Sequence, residues 1–379
     1  MKIAILGFGT VGRGAYETVL AKAGCAVEVK KILDVRVPEG YEKIVTTDYN
    51  EILNDPEIET VAEAIGGLHP AYEFLTAALK AGKNVVSANK HLICTYYKEL
   101  LTLAKEVGKE IRFTPSVGGG IPWLYNLKRT LGADTVTSIV GIMNGTTNYI
   151  LDSMQNRGIE FAEALAEAQK LGYAELDPTA DIDGLDVRRK CAISASIAFD
   201  TVLGESDVPT FGIRNVTKAD IERADSMDCT LKLLAFAETK NGEVSATVEP
   251  FFCKKSSVEA SIRKNFNCIT LIGEKAGPLS FVGQGAGKDP TGLALVLDCI
   301  DIAQGNGKRD LSLSPVKING EIHPHGYYIR TTAKLQSEAV LHVLDGAYIT
   351  KPLSPVEIHK IIDELSMTDK APFVAGLEV

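Results

Sequence analysis

The sequence holds little of what metal-centred, redox or membrane proteins are built from. Its 379 residues include only six histidines and seven cysteines. The cysteines (Cys25, Cys94, Cys191, Cys229, Cys253, Cys268, Cys299) are scattered and odd in number with no CxxC pair, which argues against a zinc ribbon, a dithiol couple or a disulfide framework. The histidines offer one close pair, His323 and His325, without a cysteine or carboxylate at zinc-ligand spacing. They read as two surface residues flanking Pro324. Basic surplus is missing as well: the net charge of -9 leaves no concentrated positive surface for nucleic acid. No apolar run approaches the ~18 residues that would span a bilayer. The opening MKIAILGFG leads straight into a strand and a glycine turn, with no room for a signal peptide, so a cytoplasmic protein with reduced thiols is expected.

What is present is length and pattern. A chain of 379 residues exceeds the ~250 to 300 at which single cores stop growing, so two or three domains are expected. Short apolar runs (3–6, 27–33, 60–65, 84–87) alternate with helical patterns over the first hundred residues, the signature of βαβ units and hence of a Rossmann-type doubly wound parallel sheet. Residues 1–130 are assigned to this nucleotide-binding domain. A second, α+β domain spans 131–280, with strands expected at 139–142, 243–250 and 268–273 and a helix over 161–171. The run FVGQGAGKDPTGLALVLDCIDIAQ, a glycine turn opening into a helix, returns 281–320 to the first domain. A tail, 321–379, carries three strand-like segments, YYIRTTA, AYITKPL and PFVAGLEV, separated by helical patterns.

GFGTVGRG follows the first strand and opens a helix, the context a dinucleotide fingerprint requires. Gly7 permits the turn, Gly9 admits a pyrophosphate and Gly12 lets helix and strand pack. The helix N-terminus adds free N–H donors and a positive dipole. Phe8, Thr10 and Val11 complete the turn, and Asp34 ends the second strand where a ribose-binding carboxylate belongs. Asp34 repels a 2′-phosphate whereas Arg36, with Lys31 nearby, attracts one, so the cofactor is NAD or NADP with a lean to NAD.

Two further groups suggest chemistry. Lys90, in SANK just past a strand, should project at the mouth of the nucleotide crevice. The stretch GYAELDPTADIDGLDVRRK packs Glu175, Asp177, Asp181, Asp183 and Asp186 together before a cationic helix start. An EF-hand register on Gly184 places Thr179 first and Lys190 last, which rules out calcium of that kind. A substrate ammonium would answer the crowding. Asp186 and Lys190, four apart, share a helix face, which suits either a functional pair or a simple surface ion pair with Asp181 or Asp183 capping the helix. A lysine there could also stabilise the oxyanion that hydride transfer to a carbonyl creates.

Taken in order, GFGTVGRG, SANK, SVGGGIP, NGTTNYIL, the acidic block and GQGAG resemble the homoserine dehydrogenase family over about residues 1–320. The resemblance implies NAD(P)-dependent interconversion of L-homoserine and L-aspartate 4-semialdehyde, a step toward threonine, methionine and isoleucine. It makes Lys190 and Lys90 catalytic and sets Glu175, Asp186 and Asp181 on the substrate, with Gly145, Thr146, Gly172 and Tyr173 lining the pocket. It adds Gly66, Lys90 and Gly285 to the cofactor contacts. It also implies sodium on the carbonyls of Val117, Gly119 and Ile121, and a homodimer through the second domain. Two departures stand out: Thr114 replaces the usual glutamate beside the cation site, and the tail resembles an ACT-type sensor only in YYIRTTA. The competing readings are a diverged enzyme for another amino aldehyde or hydroxy acid, and a catalytically silent nucleotide sensor.

Overall fold

The computed structural model describes residues 1–307 and 313–377. The chain divides into two compact units, Met1–Ala133 with Gly283–Ser314, and Asp134–Val282 with Pro315–Val379.

The first unit is built on a six-stranded sheet in the order Val45–Thr46, Glu28–Leu33, Lys2–Leu6, Ile58–Glu63, Asn84–Ser87, Ile111–Arg112, every pairing parallel. The central strands Lys2–Leu6, Ile58–Glu63 and Asn84–Ser87 are short and largely buried, as parallel strands covered by helices are. The order reverses between Lys2–Leu6 and Ile58–Glu63, the switch point at which such sheets bind ligands. The helix Lys288–Gln304 completes the layer, setting Leu295, Val296 and Cys299 into one core with Ile3, Ile5, Phe8 and Ala15. Its approach to the helix Thr10–Ala21 depends on two glycines. A Cβ on Gly14 would lie 2.2 Å from the Lys288 carbonyl oxygen, and one on Gly292 would lie 2.5 Å from Ala15 N.

The second unit carries a ten-stranded mixed sheet, with Gly277–Gln284, Phe266–Gly273, Val136–Ile142, Cys229–Lys240 and Glu243–Lys254 as successive neighbours. Cys229–Lys240 and Glu243–Lys254 form a long antiparallel hairpin, turned by Asn241 and Gly242 at φ 54° and 77°. That asparagine–glycine pair is a strong hairpin signal, yet the sequence reading placed a strand only after it. The helix Leu185–Ala198 is buried along most of its length, and Gly145–Arg157 begins at the N-cap Asn144 and ends on Gly158 at φ 66°.

The tail extends this sheet. Phe373–Leu377 pairs in parallel with Glu243–Lys254 through Gly376 and Phe251, and Gly326–Arg330, Ala347–Thr350 and Val340–Leu344 follow. The helix Pro355–Ser366, boxed at its start by Ser354 and Glu357, packs Ile358, Ile362 and Leu365 against Tyr327, Ile329 and Val374. The helical pattern expected between the first two tail strands does not form. Residues 331–339 are non-helical, and the next element is the strand Val340–Leu344.

Candidate active site

In the first unit the strand Lys2–Leu6 delivers Gly7 at φ 95°, with its N–H on the Leu33 carbonyl at 2.8 Å. A Cβ on Gly12 would lie 1.9 Å from the Gly7 carbonyl oxygen, so helix and turn touch backbone to backbone. Gly9 caps the helix without a side-chain acceptor, leaving first-turn N–H groups for an anion. Gly9 and Thr10 are exposed, whereas Phe8 is buried and Val11 half-buried. Asp34 belongs to this turn, for its carboxylate accepts the Phe8 N–H at 2.6 Å. Arg36 is exposed two residues on.

A network that sequence reasoning missed organises the next two strand ends. Glu63, fully buried, accepts the Ile65 and Gly66 N–H groups at 2.8 and 3.0 Å and the Ser87 hydroxyl at 2.6 Å. Burial raises its carboxyl above the ordinary range although these donors oppose the shift. Ser87 in turn accepts the Asn89 N–H at 3.0 Å, and Asn89 caps the helix Lys90–Thr95 while donating to the Gly67 carbonyl at 2.6 Å. Lys90, half-buried, is therefore the first residue of a fixed helix, and Gly66 sits in the turn that Glu63 holds. A carboxylate at the end of an apolar strand, followed by two glycines, was the available signal.

Val117, Gly119 and Ile121 are buried, and Gly119 lies against Gly285: a Cβ there would be 2.7 Å from the Gly285 carbonyl oxygen. Thr114 donates its N–H to the buried Asp298 at 2.8 Å, and burial pushes the Asp298 carboxyl up to about 6.

In the second unit Lys190 donates to Asp186 Oδ2 and to the Met143 carbonyl, both at 2.7 Å. The Asn144 amide donates to Asp186 at 2.8 Å and to Asp181 at 2.7 Å, while its oxygen caps the following helix through the Thr147 N–H. The pair is buried and not the surface i,i+4 bridge that spacing also allowed, with side chains 7% and 5% exposed. Two charges so buried need further polar partners, which Met143 and Asn144 supply. Asp183 turns away to Arg214 at 2.7 Å, and Leu185–Ala198 has no side-chain cap, so neither Asp181 nor Asp183 caps it.

Thr146, one residue past Gly145, donates to the Tyr173 carbonyl at 2.5 Å, joining the helix start to the loop of Gly172 and Tyr173. Glu175 is different. Its side chain is exposed and, among the described residues, makes no hydrogen bond or ion pair, its backbone carbonyl alone being held by Gln169.

The histidine reading is corrected. His325 is buried against the fully buried Glu249, which also accepts the Tyr327 hydroxyl at 3.2 Å, and His323 pairs with Glu238 at 2.9 Å. The strand Gly326–Arg330 that follows His325 is drawn into the sheet, carrying the ring inside.

A family model described as "Homoserine dehydrogenase, NAD binding domain" matches residues 7–114, and one described as "Homoserine dehydrogenase" matches 122–300. The chain is 41% identical over 319 residues to a homoserine dehydrogenase of Synechocystis, covering 80% of this chain and 73% of that one. A Corynebacterium glutamicum homoserine dehydrogenase is 42% identical over 318 residues, covering 80% and 72%. Among solved structures, a Thiobacillus denitrificans homoserine dehydrogenase superposes with a TM-score of 0.90 at 29% identity, covering 100% of this chain and 98% of that chain.

Proposed function

Because the chain belongs to the homoserine dehydrogenase family, we propose that it interconverts L-homoserine and L-aspartate 4-semialdehyde with NAD or NADP, in the cytoplasm, on the way to threonine, methionine and isoleucine. The observation that carries the reading is the buried Lys190–Asp186 pair, braced by Met143 and Asn144.

The nicotinamide cofactor supplies or takes the hydride when bound. Gly7, Phe8, Gly9, Thr10, Val11 and Gly12 would hold its pyrophosphate, Asp34 and Arg36 its ribose end, and Gly66 and Gly285 its flanks. The bare helix start and the close Gly7–Gly12 packing fit such a group. Asp186 and Asp181, aligned by one amide, would accept hydrogen bonds from the substrate ammonium. Glu175, on its exposed loop, would add a third carboxylate as substrate arrives. Lys190 would donate its proton to the oxygen that becomes negative during reduction, and take it back in oxidation. Lys90 would contact the substrate and the nicotinamide end. Gly145, Thr146, Gly172 and Tyr173 would line the pocket, two of these joined already by the Thr146–Tyr173 bond.

Sodium on the carbonyls of Val117, Gly119 and Ile121 is a further part of the proposal. These buried residues offer hard oxygen donors, and Asp298 supplies on the Thr114 N–H a carboxylate that residue 114 lacks. A homodimer through the second unit is favoured by a hollow of about 510 Å³ on its sheet, lined by Ile139, Val140, Leu234, Phe236 and Phe251.

Steady-state assays with L-homoserine and either oxidised cofactor test the reaction. Turnover with homoserine is expected; cofactor binding without turnover would leave the silent sensor, and turnover only on another amino aldehyde or hydroxy acid the diverged enzyme.

A further inference from the structure

Lys232 lies in the strand Cys229–Lys240 and is fully buried. Its ammonium donates to the Asn148 side-chain oxygen at 2.8 Å and the Ile262 carbonyl at 2.6 Å. With its oxygen so engaged, the Asn148 amide directs its NH₂ to the carbonyls of Lys264 at 2.9 Å and Phe266 at 3.1 Å. The same loop meets the helix Gly145–Arg157 at two more points. Asp152 accepts the Lys264 N–H at 3.0 Å, and a Cβ on Gly145 would lie 2.6 Å from the Asn265 carbonyl oxygen. Gly145, Asn148 and Asp152 share a face at helical spacing, so the loop 262–266 is fastened along the first two turns of this helix.

The residue before that helix is Asn144, whose amide aligns Asp181 and Asp186. A displacement of the helix start moves that amide. Packing alone gives no reason for a lysine here, since a buried charge held by neutral acceptors costs more than a hydrophobic residue of similar volume. What the ammonium adds is direction, since it fixes which end of the Asn148 amide faces the loop. Desolvation lowers the lysine to about 8, in keeping with its seclusion.

We propose that Lys232 is a positioning residue for the substrate-ammonium site, acting through Asn148 and the loop 262–266 to fix Asn144 and thereby the Asp181–Asp186 pair. This rests on the substrate site proposed above.

The test compares Lys232→Met, Asn148→Leu and the double variant, each checked for folding by near-UV circular dichroism. Each single variant is expected to raise KM for aspartate 4-semialdehyde about tenfold or more, while kcat and the cofactor Kd stay within about threefold of wild type. The double variant should be no worse than the poorer single one, as expected when both act along one chain of contacts. A folded Lys232→Met with unchanged substrate KM, or losses that multiply in the double variant, would overturn the proposal. If Lys232→Met does not fold, Asn148→Leu decides by the same criterion, because there the ammonium keeps the Ile262 carbonyl. Lys190→Ala run alongside separates the two ideas: full turnover in that variant sinks the site assignment itself, whatever Lys232 does.

Discussion

Asn144 donates to Asp181 and Asp186 from one amide nitrogen, at 2.7 and 2.8 Å, while its oxygen caps a helix. Two carboxylates that would repel are thereby each tied to one shared donor. Asn144→Ala should cost about 1 kcal/mol for the lost cap. It should also raise the substrate KM with little change in cofactor affinity. Urea denaturation and initial rates measure the two effects separately, and an unchanged KM would show that the carboxylates hold their places unaided.

Lys190 is the proton donor in this account. Lys190→Ala should lower kcat about a hundredfold to ten-thousandfold and leave the cofactor Kd close to wild type. The substitution also removes the cationic partner of the buried Asp186, so the melting temperature should fall. Lys190→Arg retains the charge and should recover stability but not rate, because a guanidinium does not release its proton. Rate recovery in the arginine variant would reduce Lys190 to an electrostatic brace.

Asp34 is tied to the Phe8 N–H at 2.6 Å, and in the proposed cofactor site its charge would repel a 2′-phosphate. Asp34→Ser is too short to keep that bond and removes the charge. Fluorescence titration should show NADH binding about tenfold weaker, equivalent to ~1.4 kcal/mol, with NADPH gaining relative to it. An unchanged ratio of the two affinities would mean that this carboxylate serves the turn alone.

For His325, burial pulls the imidazole down, but the hydrogen bond and charge of Glu249 outweigh it and hold the ring above its ordinary 6.5. The folded state therefore binds the proton more tightly than the unfolded chain. The resulting stabilisation is complete below pH 6.5 and is lost as pH rises through the folded value. Thermal melts across that range should show a decline that His325→Gln abolishes. The variant should also be less stable at low pH, since Glu249 loses its cationic partner. A pH-independent wild-type melt would contradict the assignment.

The first unit was legible because parallel strands announce themselves as apolar runs and because a glycine fingerprint carries its own geometric reason. Lys190 and Asp186 could be paired from their spacing. Their burial could not, since it depends on Met143 and Asn144 arriving from forty residues away in the chain. Asn144, Lys232 and His325 share one cause of invisibility: each is a polar residue whose decisive partners are distant in sequence and whose neighbours read as ordinary strand or loop. The hairpin at Asn241 and Gly242 is another matter, for its signal is local and lies in the asparagine–glycine pair itself. The helical pattern between the first two tail strands gave way to loop and strand, as local periodicity does when tertiary pairing wins.

The helix Lys288–Gln304, seated on Gly14 and packed into the first unit's core, has a bearing on how this protein is made. The ribosome releases the glycine turn and its sheet long before the helix that seals them, with all of 134–282 translated in between. Until then Ile3, Ile5 and Ala15 lack the cover of Leu295, Val296 and Cys299, a sticky surface on a nascent chain. An expression fragment stopped at Ala133 inherits the same bare flank permanently, so the nucleotide-binding half is a poor candidate for recombinant production without its closing segment.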